Sequence, residues 1–356
     1  MMRGDACVAA LALALALGAC TSEAGARGVH VDVAKLPYAM LSDYGFFQGE
    51  PRELAAAPEL VPFEPVSPLW SDGAFKQRQL YVPEGETIGF AEDDDWEFPV
   101  GTVAVKSFLF PRDRRDPEGT LDPVETRLLV REKDGFQGYV YLWNEERTDA
   151  ELLLPGKRLT IEYKDQDGKP ATQRYQVPNQ NQCENCHARD DVMVLLGVHT
   201  RQLNHEVHGD NQLDVVAEAD LFAHALPPGD ELPALADPGG DAPLDQRARA
   251  WLEANCAHCH RPGGGGGRSG LTLLASEDEP RAFGVCKSPV AAGPASGGLQ
   301  ADIVPGRPDE SIAVFRMESD DPEIRMPELP VLTADPFGTQ LVRDWIAAMS
   351  PEGCAP

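Results

Sequence analysis

The sequence predicts an α+β multidomain chain, with an N-terminal mainly-β domain followed by an all-α C-terminal domain. Three observations carry this expectation. Between about residues 37 and 177, apolar residues alternate with period two and are broken by turn-forming clusters. From residue 244 onward they recur at helix spacing. Between the two regimes, Pro227-Pro228-Gly229 and Pro238-Gly239-Gly240 thicken into a stretch that reads as a linker. The chain has 356 residues, enough for about two domains at ~150 residues each.

Taken in chain order, the first element is a targeting segment. Arg3 precedes an apolar run from Cys7 to Leu17, too short to span a bilayer but the right length for a signal-peptide core. The run ends in Leu17-Gly18-Ala19-Cys20, which resembles a bacterial lipobox. Residues 1–19 are then a signal peptide, Cys20 is the lipidated residue, and 20–36 form a polar tether. Ordinary cleavage with Cys20 left free is the alternative, and it would leave a lone exposed thiol in an oxidising compartment. No later stretch approaches ~20 apolar residues, so anchoring is expected through lipid rather than a spanning helix. The expected product is an exported, periplasm-facing lipoprotein, and Thr21 in place of Asp points to the outer membrane.

Residues 37–210 form the predicted β-rich domain. One hairpin pairs Glu125–Glu132 with Gly138–Trp143 across Lys133-Asp134-Gly135. A second pairs Leu159–Tyr163 with Thr172–Val177 across Asp165-Gln166-Asp167-Gly168. The run Thr102–Phe110 places Val103, Val105 and Leu109 on one face and Ala104, Lys106, Phe108 and Phe110 on the other. Both faces are largely apolar, which predicts a central strand. Residues 211–243 are the expected linker, and 244–356 the helical domain. Its helices are Leu244–Asn255, with Ala248, Trp251 and Leu252 on one face; Pro308–Met317, with Pro in the tolerated first turn; and Phe337–Met349, with Leu341, Trp345 and Ala348 along one stripe.

Charge and cysteines narrow the function. The formal net charge is −27 with a pI near 4.6, which argues against nucleic acid as a partner because its phosphates would repel the chain. The same charge suits attraction of a basic redox protein, or simply keeps the molecule soluble. Of eight cysteines, Cys7 leaves with the signal and Cys20 takes lipid. Four more fall in Cys183-Glu184-Asn185-Cys186-His187 and Cys256-Ala257-His258-Cys259-His260. The even remainder, Cys286 and Cys354, is expected to form a disulfide. By the chain-entropy model that bridge contributes about 4 kcal/mol.

Two thiols three residues apart suit thioether bonds to the two vinyl groups of one haem, and the adjacent imidazole suits its iron. A single copy fits a zinc knuckle or a redox dithiol. Two copies behind an export signal point to two covalently bound haem c groups, ligated by His187 and His260. His258 is expected to be merely exposed. For the second haem, Met326 in Ile324-Arg325-Met326-Pro327 is the candidate sixth ligand, since it lies in a loop stiffened by Pro327. Met317 competes but falls within a helical pattern and reads as core. For the first haem, Met193, His199, His205 and His208 are all within reach downstream.

These motifs carry a resemblance. Residues 244–349, with the helix into Cys256–His260, the glycine loop Gly263–Gly267, the Met326-Pro327 loop and the closing Trp345-Ile346 helix, resemble a class I cytochrome c. With Phe98-Pro99-Val100-Gly101-Thr102, Glu125-Thr126-Arg127-Leu128-Leu129 and Asn181-Gln182-Cys183, nearly the whole mature chain is similar to bacterial di-haem cytochromes c with an N-terminal β domain. The β region and its upstream run to Lys106 also look like the β-sheet cytochromes called c-prime-beta, some of whose relatives cross-link a lysine to haem and oxidise hydroxylamine. That resemblance makes Lys106 a cross-link candidate, although Lys106-Ser107 stands where those relatives favour Lys-Glu. The expected function is electron transfer between two haems and an unidentified redox protein. The alternatives are oxidation or reduction of a small molecule (hydroxylamine, nitric oxide or peroxide) at an open first haem, or gas binding without turnover.

Overall fold

The computed structural model describes residues 28–351 apart from 291 and 329. The expected signal peptide, the lipidated Cys20 and Cys354 therefore lie outside the described residues. Six strands form one antiparallel sheet: β1 (Leu60–Pro62), β2 (Phe75–Tyr81), β3 (Val103–Pro111), β4 (Leu121–Glu132), β5 (Gly135–Trp143) and β6 (Ala150–Leu152). Spatial order follows chain order, so each strand pairs with the next and no crossover is needed. β3 lies between β2 and β4, the central position that its two apolar faces require.

The period-two geometry of the strands gives the sheet two unlike faces. Val103, Val105, Leu128, Val130, Tyr139, Tyr141 and Trp143 share one face and pack against Leu41, Tyr44, Phe46 and Leu54. Val29, Val31 and Leu36 join this core, so the end of the expected tether belongs to the fold. The opposite face is divided. At one end Leu80, Ala104, Leu129 and Phe136 pack with Trp96, Phe98, Val198 and Leu203. At the other, Phe108, Phe110 and Val140 pack with Tyr175 and Val177. Between these apolar ends the register sets Arg78 opposite Lys106 and Lys106 opposite Arg127.

Tyr175 and Val177 belong to a separate hairpin, β7 (Lys157–Lys164) with β8 (Pro170–Val177), which leads directly into helix α1 (Gln180–His187). Asn179 caps α1 by accepting from Gln182 N–H, and the Gln182 side chain returns a bond to the Asn179 backbone. This reciprocal cap is worth about 1 kcal/mol, and α1 needs it because it buries no residue fully. The expected linker is packed structure. It contains α2 (Gln212–Glu218), and Leu213, Val216 and Leu232 enter the same core as Leu203. Leu213 and Val216 stand three apart, which gives the short helix an inward stripe despite the Pro and Gly around it.

Beyond residue 243 every regular element among the described residues is helical. α3 (Leu244–Leu252) passes into a π-turn over Glu253–Ala257, followed by α4 (Ile312–Glu318) and α5 (Pro336–Ala348). The helix expected over Pro308–Met317 divides into a 3-10 turn at Pro308–Glu310 and α4. Trp251, Phe283, Val314, Leu341, Val342, Trp345 and Ile346 build the core of this region, whereas Ala348 is exposed. The helical region docks on the β region. Asp72 accepts from Leu332 N–H at 2.9 Å, Thr333 N–H at 2.7 Å and the Thr333 hydroxyl at 2.8 Å. Asn255 Oδ1 accepts from Trp70 N–H at 2.7 Å across the same boundary.

Candidate functional site

Helix α1 lies across the divided face of the sheet, and Cys183 packs against both of its apolar ends. Gly138 on β5 makes room for this. A Cβ at that position would stand 3.1 Å from the Cys183 Cβ and Sγ. At the end of α1, His187 Nδ1 lies 2.8 Å from the Val194 carbonyl oxygen. A carbonyl only accepts, so Nδ1 carries the proton and Nε2 keeps a free lone pair. Burial lowers the His187 pKa to about 4, so the ring is neutral at ordinary pH.

The second motif reaches the same tautomer by a different route. His260 Nδ1 lies 3.1 Å from Ser269 Oγ. The Ser269 hydroxyl spends its single proton on the Gly266 carbonyl at 2.7 Å, so it accepts from the imidazole. His260 Nε2 is therefore also left as a lone pair, and burial lowers this ring to about 4 as well. The glycine loop wraps the motif closely. A Cβ on Gly264 would lie 2.4 Å from the Cys259 carbonyl oxygen, and one on Gly266 would lie 3.0 Å from the His260 ring.

The two motifs abut. Cys259 Sγ donates to the Asn185 carbonyl at 3.3 Å, and Asp190 N–H donates to the Gly263 carbonyl at 3.0 Å. Ligand atoms of Cys186, His258 and Cys259 all fall within 4.8 Å of one another. His258 is thus half-buried at the junction of the motifs, not the exposed residue expected from its sequence position. The adjoining Cys259 and His258 side chains hold the Cys186 thiol well below its usual pKa, while the neighbouring Cys186 and burial push Cys259 up. Cys183 is raised by burial, and Cys256 is raised by burial to about 12. All four motif cysteines are free thiols.

A cavity of about 280 Å³ opens between α1, the sheet and the second motif. Cys183, Cys186 and His187 line it, with Ala257 and His258 facing them and Arg78, Lys106 and Arg127 on the sheet wall. Among the four candidates downstream of the first motif, His199 lines this cavity. Met193 is 9% exposed within the core, His205 Nε2 is bonded to the Glu64 carbonyl at 2.7 Å, and His208 is exposed. Burial lowers His199 to about 4.

Met326 is partly buried, and its N–H donates to the Arg316 carbonyl at 3.0 Å. It is not on the cavity wall, whereas the following Pro327 and Glu328 are. Met317, at 6% exposure, fills the helical core as its sequence pattern suggested. Cys286 is disulfide-bonded, and its expected partner Cys354 lies outside the described residues. Sequence reasoning missed Arg78, Arg127 and His258 as site residues. The strand alternation places Lys106 on the correct face, but the charged row exists only through pairing with β2 and β4. Comparisons of the chain with protein-family models, with curated proteins and with solved structures find no match.

Proposed function

We propose that this chain is a periplasm-facing di-haem c-type cytochrome, lipid-anchored through Cys20, that transfers electrons between its two cofactors and an external redox protein. The observation that carries the reading is the state of the two Cys-x-x-Cys-His units. Each offers two free thiols and a neutral imidazole whose proton is held on Nδ1, which leaves Nε2 for a metal. Engaging the second ring nitrogen in this way is what metal-bound histidines need for a fixed ring orientation. Haem c bound at each unit supplies a one-electron iron centre. Cys183 and Cys186, and Cys256 and Cys259, are the attachment points, His187 and His260 the ligands, and Met326 the second ligand of the C-terminal site. The contact between the motifs at Cys186 and Cys259 brings the attachment points side by side, which favours exchange between the sites.

The test is a pair of double variants produced with haem-maturation machinery. Cys183→Ala with Cys186→Ala, and Cys256→Ala with Cys259→Ala, should each halve the covalent haem per chain. Met326→Ala should lower the potential of one haem and leave the other unchanged, because loss of a thioether ligand lowers the potential. Unchanged haem content in either double variant contradicts the reading.

A second reading follows from the Cys186–His258–Cys259 cluster, whose donor atoms suit a soft divalent ion such as zinc. Metal analysis of the purified chain separates the two: zinc at these thiols, with no haem, favours the second. The small-molecule alternative requires an open position opposite His187. Carbon monoxide added to the reduced protein should leave both haem spectra unchanged if His199 closes that position, and a shift would favour the enzyme.

A further inference from the structure

We propose that Arg78, Lys106 and Arg127 form an anion-binding site on the sheet wall of the cavity beside His187, suited to a small oxyanion-type group such as a carboxylate or a phosphate. The register places the three cations in one row across β2, β3 and β4, each directly opposite the next. Like charges directly opposite on a sheet destabilise it, so the row calls for a compensating negative charge. The row also interrupts an otherwise apolar face, between Leu80, Ala104 and Leu129 at one end and Phe108 and Phe110 at the other. In a chain of net charge −27, three cations gathered at one interior wall are against the overall trend.

Most of the neighbouring charges are already engaged, whereas Glu64 beside Arg78 and the cavity-lining Asp94 and Glu328 form no ion pair among the described residues. Arg127 is bidentate to Glu125, at 2.6 and 2.9 Å, and Glu125 also accepts from Tyr175. On the far wall Arg189 pairs with Asp95 and Arg201 with Asp93. Asp72 is occupied by Leu332 and Thr333, and Glu253 accepts from Ala275 N–H at 2.8 Å. Lys76 donates to the Leu69 carbonyl at 2.8 Å. The Arg78 guanidinium and the Lys106 ammonium make no hydrogen bond or ion pair among the described residues. Lys106 Nζ only rests over the Phe108 ring at 5.1 Å, and Arg127 lies over the same ring at 4.1 Å. Both are half-buried, and both line the cavity. Burial and then the neighbouring cations push Lys106 well below its usual pKa, and burial brings Arg78 to about 10. An anion in the cavity would relieve both effects.

The site itself does not depend on the haem reading, but one of its two possible occupants does. The anionic group is either a diffusible oxyanion or a carboxylate of the cofactor. The first arm of the test is calorimetric titration of the purified full chain with sodium phosphate at constant ionic strength. Saturable binding in the wild type, weakened tenfold or more in Arg78→Gln and in Lys106→Gln and retained in Lys106→Arg, supports a diffusible anion. The second arm follows the propionate bending bands in resonance Raman spectra. Bands that shift in Lys106→Gln but not in Lys106→Arg, without phosphate binding, support the cofactor's own carboxylate. The proposal is overturned if phosphate fails to bind and the bands do not move, or if binding is the same in all variants. Circular dichroism checks folding, and should Arg78→Gln not fold, the Lys106 pair still decides.

Discussion

The ring protons of His187 and His260 are fixed by neighbours that differ chemically, a backbone carbonyl in one case and a serine hydroxyl in the other. Both arrangements leave Nε2 open, and Gly138 and Gly266 clear the space around the two motifs. Gly138→Ala should push Cys183 away from the sheet. It should cost about 1–3 kcal/mol in urea denaturation and reduce haem attachment at the first motif. Glu253 tests a different balance. Burial raises its pKa above the usual 4.5. The folded state therefore keeps this proton after the unfolded state has lost it, so the group's contribution to stability falls as pH rises from 4.5 through the folded value. Glu253→Gln keeps an acceptor for Ala275 N–H without the charge. Its urea midpoint relative to wild type should rise between pH 4 and pH 7. A constant difference would show that Glu253 is not the titrating group.

At the scale of elements, α5 packs against α3 through Gly338. A Cβ on Gly338 would lie 2.0 Å from the Trp251 ring, so Gly338→Ala should cost about 3 kcal/mol or more, read as a lowered melting temperature. The elements most legible in the sequence were those with strong periodicity and local pairing. The β4–β5 and β7–β8 hairpins follow from alternation and turn residues, and α3 and α5 from Trp251 and Trp345 at helix spacing. The stretch 211–243 misleads because Pro and Gly suggest a linker, while Leu213, Val216 and Leu232 are buried against distant strands. Chain-local patterns carry no information about such partners. The motif cysteines and histidines were legible for the same reason that the cation row was not. A pentapeptide is contiguous, whereas Arg78, Lys106 and Arg127 meet only after three strands pair.

For the whole molecule, the boundary between the β and helical regions shapes the cavity, since Ala257 and His258 come from one side and Cys186 and His187 from the other. Asp72 ties that boundary by accepting from Leu332 N–H, Thr333 N–H and the Thr333 hydroxyl. Asp72→Ala would strand the amides of Leu332 and Thr333, costing about 1–3 kcal/mol. The expected signature is faster hydrogen exchange at those two amides, with the β sheet still protected. Covalent cofactor at the joined motifs can be read from the denatured intact mass and the alkaline pyridine spectrum of chain matured in a periplasm. The expected product is a polypeptide heavier by two haems, with a c-type spectrum that survives denaturation. A colourless chain of unmodified mass, or one carrying zinc at its thiols, would contradict it.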